Sequence, residues 1–181
     1  MSATRLDSGE ALDSAPPLPS LERSYVTVGI DQEIFALDVA HVREILDPQP
    51  FTRLPDMPPS LRGLIDVRGQ GIPVFDLRIK FGLPPGEGTP HTRIVVLEIP
   101  RAQGAVVLGA LTDRVFEVAA LDDTGIERPA ELGTRWRSEA VAGLGRRNGR
   151  LVIILDIAHV FTLKDLTAAS SNQSGSDFSL D

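Results

Sequence analysis

The sequence predicts a mainly β protein built from two similar β subdomains, with one-turn helices at strand ends. Three observations carry this. Short β-branched or aliphatic runs recur along the chain, separated by glycine-containing turns. No long stretch shows the 3.6-residue apolar period of an amphipathic helix. Residues 63–83 recur without a gap at 143–163.

The strands follow in order. Residues 24–30 (SYVTVGI) alternate and are β-branched, and 33–37 (EIFAL) follow the Asp31-Gln32 turn, so the two read as a hairpin. Residues 64–68 and 72–75 flank Gly69-Gln70-Gly71. Residues 92–99 are nearly all apolar, and 105–111 return after a turn. A strand over 116–121 precedes the last hairpin, 140–144 with 151–155, whose tip carries Asn148-Gly149. Four strings share one local grammar: FALD-VAHV, PVFD-LRIKF, ALTD-RVFEV and IILD-IAHVF. A carboxylate accepts the exposed N–H groups of a first helical turn, so Asp38, Asp76, Asp113 and Asp156 are each expected to start a one-turn helix.

In the repeat, Gly63/Gly143, Leu64/Leu144, Gly69/Gly149, Asp76/Asp156, Phe81/Phe161 and Leu83/Leu163 are identical. A second match pairs Val42 with Val115, Glu44 with Glu117 and Ile45 with Val118. Units this small lean on each other for stability, and two of them side by side create a cleft and two outer faces.

The chain has 181 residues and no cysteine, which excludes disulfides, thiolate metal sites and cysteine nucleophiles. Its formal charge of −7 argues against a nucleic-acid binder held by phosphate contacts, and 5% aromatic content argues against base stacking. No apolar run reaches the length of a membrane span, and residues 1–20 lack the apolar stretch of a secretory leader, so the expected address is the cytoplasm. Residues 1–21 and 166–181, rich in Ser, Asp and Pro or Gly, are expected to be disordered tails around a folded unit of 22–165.

Catalytic and metal chemistry finds little support. Asp38 and His41, like Asp156 and His159, stand three apart as two ligands on a turn would, but a metal needs more, and both aspartates are better explained as caps. No G-x-S-x-G elbow occurs, and Gly143-x-Gly145-x-x-x-Gly149 lacks dinucleotide-loop spacing. No catalytic, cofactor or metal residue is expected. Trp136, between two arginines, is either an exposed anchor or partly buried under a loop.

The motifs VREI (42–45), RLP (53–55), LRGLIDVRG (61–69), IPVFDLRIKFGL (72–83), IVVLEI (94–99), DRVFEV (113–118) and AGLGRRNGRLVIILDIAHVF (142–161) together resemble the CheW-like chemotaxis coupling family over residues 22–165. The resemblance implies two intertwined five-stranded SH3-like barrels and no catalysis. It implies an adaptor that couples the cytoplasmic tip of methyl-accepting chemoreceptors to the regulatory domain of the histidine kinase CheA, recruited to receptor arrays without entering the membrane. Residue by residue, it assigns partner binding to Arg68, Glu44, Val42, Gly63 and Asp66. Asp66 stands where the family carries Asn, and either pairs with Arg68 or shifts partner preference. Without the family, Arg68 reads first as an exposed turn residue, and the repeat mate Glu117 leaves a structural role for Glu44 open beside partner binding. Two other functions stay open: an adaptor of a non-flagellar chemosensory pathway, such as one for pili or development, and a small-ligand-binding double barrel.

Overall fold

Among the described residues, turn chemistry and β-branched runs produce ten strands. They are β1 (Ser24–Ile30), β2 (Glu33–Asp38), β3 (Val42–Leu46), β4 (Leu61–Val67), β5 (Gln70–Asp76), β6 (Arg93–Arg101), β7 (Gly104–Thr112), β8 (Arg114–Ala120), β9 (Val141–Arg147) and β10 (Arg150–Leu155). Among the described residues, the α-helix α1 (Leu77–Lys80) links β5 to β6, and α2 (Ile157–Val160) and α3 (Leu163–Gln173) follow β10. The structure, a computed structural model, describes residues 23–122, 125–127 and 138–173. Trp136 and the tail over 1–21 lie outside the described residues.

The strands form two five-stranded sheets, ordered β8-β1-β2-β10-β9 and β3-β6-β7-β5-β4. The repeat explains this pattern. Equating β1–β5 with β6–β10 in order converts one sheet order into the other. Each sheet therefore takes its central hairpin from one repeat and its other three strands from the second. Strands of different repeats meet at two parallel contacts, Phe35 opposite Ile153 and Phe75 opposite Ala110, and at two antiparallel pairings, β1 with β8 and β3 with β6. Neither half can complete a sheet alone, which is the physical content of "intertwined".

Each sheet is rolled. The chain leaving edge strand β3 reaches the opposite edge, where Thr52 and Leu64 exchange backbone hydrogen bonds of 2.8 and 2.8 Å. The chain leaving β8 does the same, with Glu127 and Leu144 bonded at 2.9 and 2.8 Å. The glycines preceding the two leucines make room for these straps. A Cβ on Gly63 would lie 2.6 Å from the Thr52 carbonyl oxygen, and one on Gly143 would lie 3.0 Å from that of Glu127.

The largest core lies between the sheets, not inside either roll. It joins Val26, Val28, Phe35 and Leu37 of one sheet to Phe75, Val95, Leu97 and Leu108 of the other. Phe35, Phe75 and Phe161 are fully buried, and removing each from water contributes about 1.5–3 kcal/mol. Smaller cores fill the rolls: Ile65, Ile72, Val74, Ile94 and Val96 in one, Tyr25, Ala36, Val152 and Ile154 in the other.

Three of the four expected caps form. Asp38, Asp76 and Asp156 accept the backbone N–H of Ala40, Arg78 and Ala158 at 2.9, 2.9 and 3.1 Å. Asp113 starts no helix. It is the single residue between β7 and β8, where the chain crosses from one sheet to the other. Its carboxylate instead accepts the Asp31 N–H and the Arg78 guanidinium, both at 2.6 Å. Residue 166, where the C-terminal tail is expected to begin, lies within α3, which runs to Gln173. Thr162 and Asp165 cap it reciprocally, at 2.8 and 3.3 Å, and Lys80 pairs with Asp165. Leu166 and Ala169, three residues apart, bury one face of the helix.

Candidate functional site

The two-residue turn between β4 and β5 requires a left-handed backbone at both positions, a type I′ geometry that Asn-Gly fills best. Here the residues are Arg68 (φ 52°) and Gly69 (φ 83°). Arg68 therefore occupies a conformation that a bulky side chain resists, while its side chain is 79% exposed. Its guanidinium grips Glu44 with two bonds, Nη1 to Oε1 at 3.1 Å and Nη2 to Oε2 at 2.8 Å. Glu44 is on β3 and Arg68 follows β4, the two edges of one sheet, so the pair spans the seam of the roll. Beside it lies a depression of about 290 Å³ lined by Arg43, Glu44, Val67, Arg68, Gln70 and Ile72.

The structure separates the other three candidates from this pair. Asp66 accepts the Gly69 N–H at 2.8 Å, closing the turn, while the Arg68 guanidinium is bonded to Glu44. Val42 is half-buried, packs against the inter-sheet core and lies opposite Leu97. Gly63 is buried at the strap with φ 143°, so its place in the fold is a close backbone approach. Arg68 and Glu44 are thus bonded to each other, while Asp66, exposed beside the same turn, is bonded to the Gly69 N–H.

The other sheet carries a counterpart. Arg147 donates to Glu117 across the β9–β8 seam, Nε to Oε1 at 3.0 Å and Nη2 to Oε2 at 3.4 Å. That bond holds the Glu117 carboxyl below its ordinary range and raises the guanidinium. Asp122 accepts the N–H groups of Gly149 at 2.9 Å and Asn148 at 3.0 Å, and these two bonds lower its pKa.

A larger cavity, about 470 Å³, went unpredicted by the motifs. It lies between α1 and α2, and its lining residues pair at the offset of the repeat: Ser60 with Ala140, Ile79 with His159, Lys80 with Val160. Both repeats therefore line it, and the repeat offset is the signal that finds it. His159 Nδ1 lies 2.8 Å from Asp156 Oδ2, and no hydrogen bond links His159 to a hydroxyl among the described residues. Among those residues no group of three or more His, Asp or Glu side chains is placed to hold a metal ion. No described helix is long and apolar enough to cross a membrane.

Comparison with known proteins agrees with this architecture. The chain is 25% identical over 148 residues to the probable chemotaxis protein CheW of Rhizobium etli, covering 82% of this chain and 93% of that one. It is 29% identical over 131 residues to chemotaxis protein CheW of Helicobacter pylori, covering 72% and 76%. The crystal structure of the scaffolding protein TtCheW from Thermoanaerobacter tengcongensis superposes with a TM-score of 0.69 at 27% identity, covering 80% of this chain and 95% of that one. The CheW-like domain model matches residues 24–165, and with two rolled sheets exchanging strands as described, the chain belongs to the CheW-like domain family.

Proposed function

We propose that this chain is a non-catalytic chemotaxis adaptor that joins the cytoplasmic tip of methyl-accepting chemoreceptors to the regulatory domain of the kinase CheA. It works in the cytoplasm and is recruited to membrane-associated receptor arrays. The observation that carries the surface assignment is Arg68: an arginine held left-handed, prepaired with Glu44 and left four-fifths exposed. A side chain kept in a costly backbone conformation marks a candidate contact. Arginine also suits planar, bidentate recognition of a partner carboxylate. Glu44 orients the guanidinium and leaves its outer edge to the partner. Val42, Gly63 and Asp66 act on binding by shaping the strand, strap and turn that present the pair.

An adaptor transmits signal only if it binds the two kinase states with different affinity, and a rigid double sheet links its two faces without internal rearrangement. The test is binding of the full chain to the kinase regulatory domain and to a receptor cytoplasmic fragment, each by calorimetry. Arg68→Glu and Glu44→Arg are expected to weaken binding by at least about tenfold, as loss of a charge-paired contact does. Their melting temperatures should stay close to that of the parent. Parental affinity of both folded variants for both partners removes Arg68 and Glu44 from the site.

The cavity of about 470 Å³ lined by both repeats favours one second reading, a small-ligand double barrel. Robust thermal stabilisation by a member of a metabolite panel would support it. An adaptor of a non-flagellar pathway differs only in its partners, which recovery of the kinase and receptor from cell extract identifies.

A further inference from the structure

The hairpin tip between β9 and β10 is exposed and consists of Asn148 followed by Gly149. Glycine puts no Cβ in the way of its own nitrogen, so the Gly149 amide can reach the carboxamide carbon of the preceding side chain. We propose that Asn148 is a latent covalent modification site, convertible to aspartate or isoaspartate through a succinimide, and that Asp122 holds the conversion off.

The chemistry uses only this chain and water. The Gly149 nitrogen attacks Cγ of Asn148, forming an N–Cγ bond, while the Cγ–Nδ2 bond breaks. The Gly149 proton leaves with the former amide nitrogen as ammonia. Water then opens the ring at either carbonyl, giving aspartate or, with one more carbon in the backbone, isoaspartate.

Cyclisation needs a Gly149 nitrogen that has lost its proton and is free to rotate toward Cγ. Both needs are opposed here. The Gly149 N–H donates to Asp122 Oδ2 at 2.9 Å and the Asn148 N–H to Oδ1 at 3.0 Å, which fixes both peptide planes. A carboxylate at that distance disfavours the amide anion that must form. On the other side of the residue, Arg146 Nη1 donates to the Gly149 carbonyl at 3.0 Å.

The product would matter locally. An aspartate at 148 places a third negative charge beside Asp122 and Glu117, next to the seam that Arg147 closes. Isoaspartate lengthens a two-residue turn, so the opposition of Arg147 and Arg150 is lost. The β4–β5 tip has Arg68 at the equivalent position and is immune. The modification thus falls on one of the two equivalent tips and not on the other.

The experiment incubates the full chain in mildly alkaline buffer and follows residue 148 by peptide mass spectrometry after digestion with an acid-directed protease. The arms are the parent chain, the parent chain in urea, Asp122→Ala and Asp122→Asn. The folded parent is expected to convert at least about tenfold more slowly than the urea-unfolded chain, the factor that loss of a hydrogen bond to a charged acceptor implies. Asp122→Ala should recover most of that factor. Should Asp122→Ala melt below the incubation temperature, Asp122→Asn, which keeps an acceptor without the charge, makes the same comparison and is expected to fall between. A folded parent that converts at the unfolded rate, or folded Asp122 variants that convert at the parental rate, overturns the proposal.

Discussion

The hairpin tips at the two ends of the molecule occupy equivalent positions and solve the same turn differently. At the β9–β10 tip, Asn148 takes the left-handed position at φ 51°, a conformation asparagine tolerates, and Asp122 satisfies both turn amides. Its seam pair uses Arg147, which sits in regular strand with a side chain 32% exposed. At the β4–β5 tip the left-handed residue is itself the seam arginine, and Asp66 satisfies only Gly69. Local preference and position agree at one tip and conflict at the other. Conflicts of this kind are retained where another demand outweighs them, which is why Arg68, and not Arg147, is the better candidate for a partner contact.

The comparison is broken most strongly at the straps. Gly63 combines φ 143° with a backbone oxygen 2.6 Å from any Cβ, so Gly63→Ala has no way to relax. We expect it to cost about 3 kcal/mol or more, with the urea midpoint as the measure. Gly143→Ala meets the Ile126 side chain at 2.4 Å and the Glu127 oxygen at 3.0 Å, and a side chain can give way. Its cost should be about 1 kcal/mol. Equal costs would mean that the two straps close their rolls alike, and the asymmetry drawn above would be confined to the turns.

A smaller effect separates the paired caps. The Asp76 side chain is 4% exposed and that of Asp156 37%, although each caps a one-turn helix. Burial raises the Asp76 pKa, even against the Arg78 N–H it accepts and the Arg62 guanidinium 3.7 Å away. A folded-state value above the unfolded one means that the folded chain holds this proton more tightly. The stability linked to Asp76 is therefore fully present below the ordinary carboxylate value and lost as pH rises through the raised value. Asp76→Asn keeps the cap and removes that slope, so at neutral pH it should match or exceed the parent in melting temperature. Asp76→Ala should lose about 1 kcal/mol with the cap.

Much of this was readable before any coordinates. Nine of the ten strands announce themselves because alternation and turn residues are local. β3 does not, since Arg43 and Glu44 interrupt its apolar run and it reads as the tail of the Asp38 cap. The repeat shows which segments are alike but not which sheet each enters, because strand exchange is decided by pairing between distant residues. The same limit explains Asp113, whose string matches the other three while its chain crosses between sheets. It explains α3 as well: the carboxylate of Asp165 that accepts the Thr162 N–H is tied down by Lys80, 85 residues away. At the site, the arginine and glutamate are legible as motif residues. Their seam-spanning bond, and the left-handed backbone beneath Arg68, are not.

The sharpest test of the two tips exchanges their residues. Arg68→Asn gives the first tip the turn residue of the second. Relieving the left-handed arginine should stabilise the chain by about 0.5–1 kcal/mol, even though the exposed bond to Glu44 is lost, because exposed ion pairs contribute little. The same change removes the guanidinium and should weaken binding to the kinase regulatory domain or the receptor fragment. Asn148→Arg runs the other way, lowering the melting temperature without creating binding, since Asp122 and Glu117 already engage that tip. Stability and affinity moving in opposite directions on one substitution is the signature of a residue kept for contact rather than for folding. If Arg68→Asn instead destabilises the chain to the extent that it weakens binding, Arg68 is a seam residue like Arg147, and the partner surface lies elsewhere.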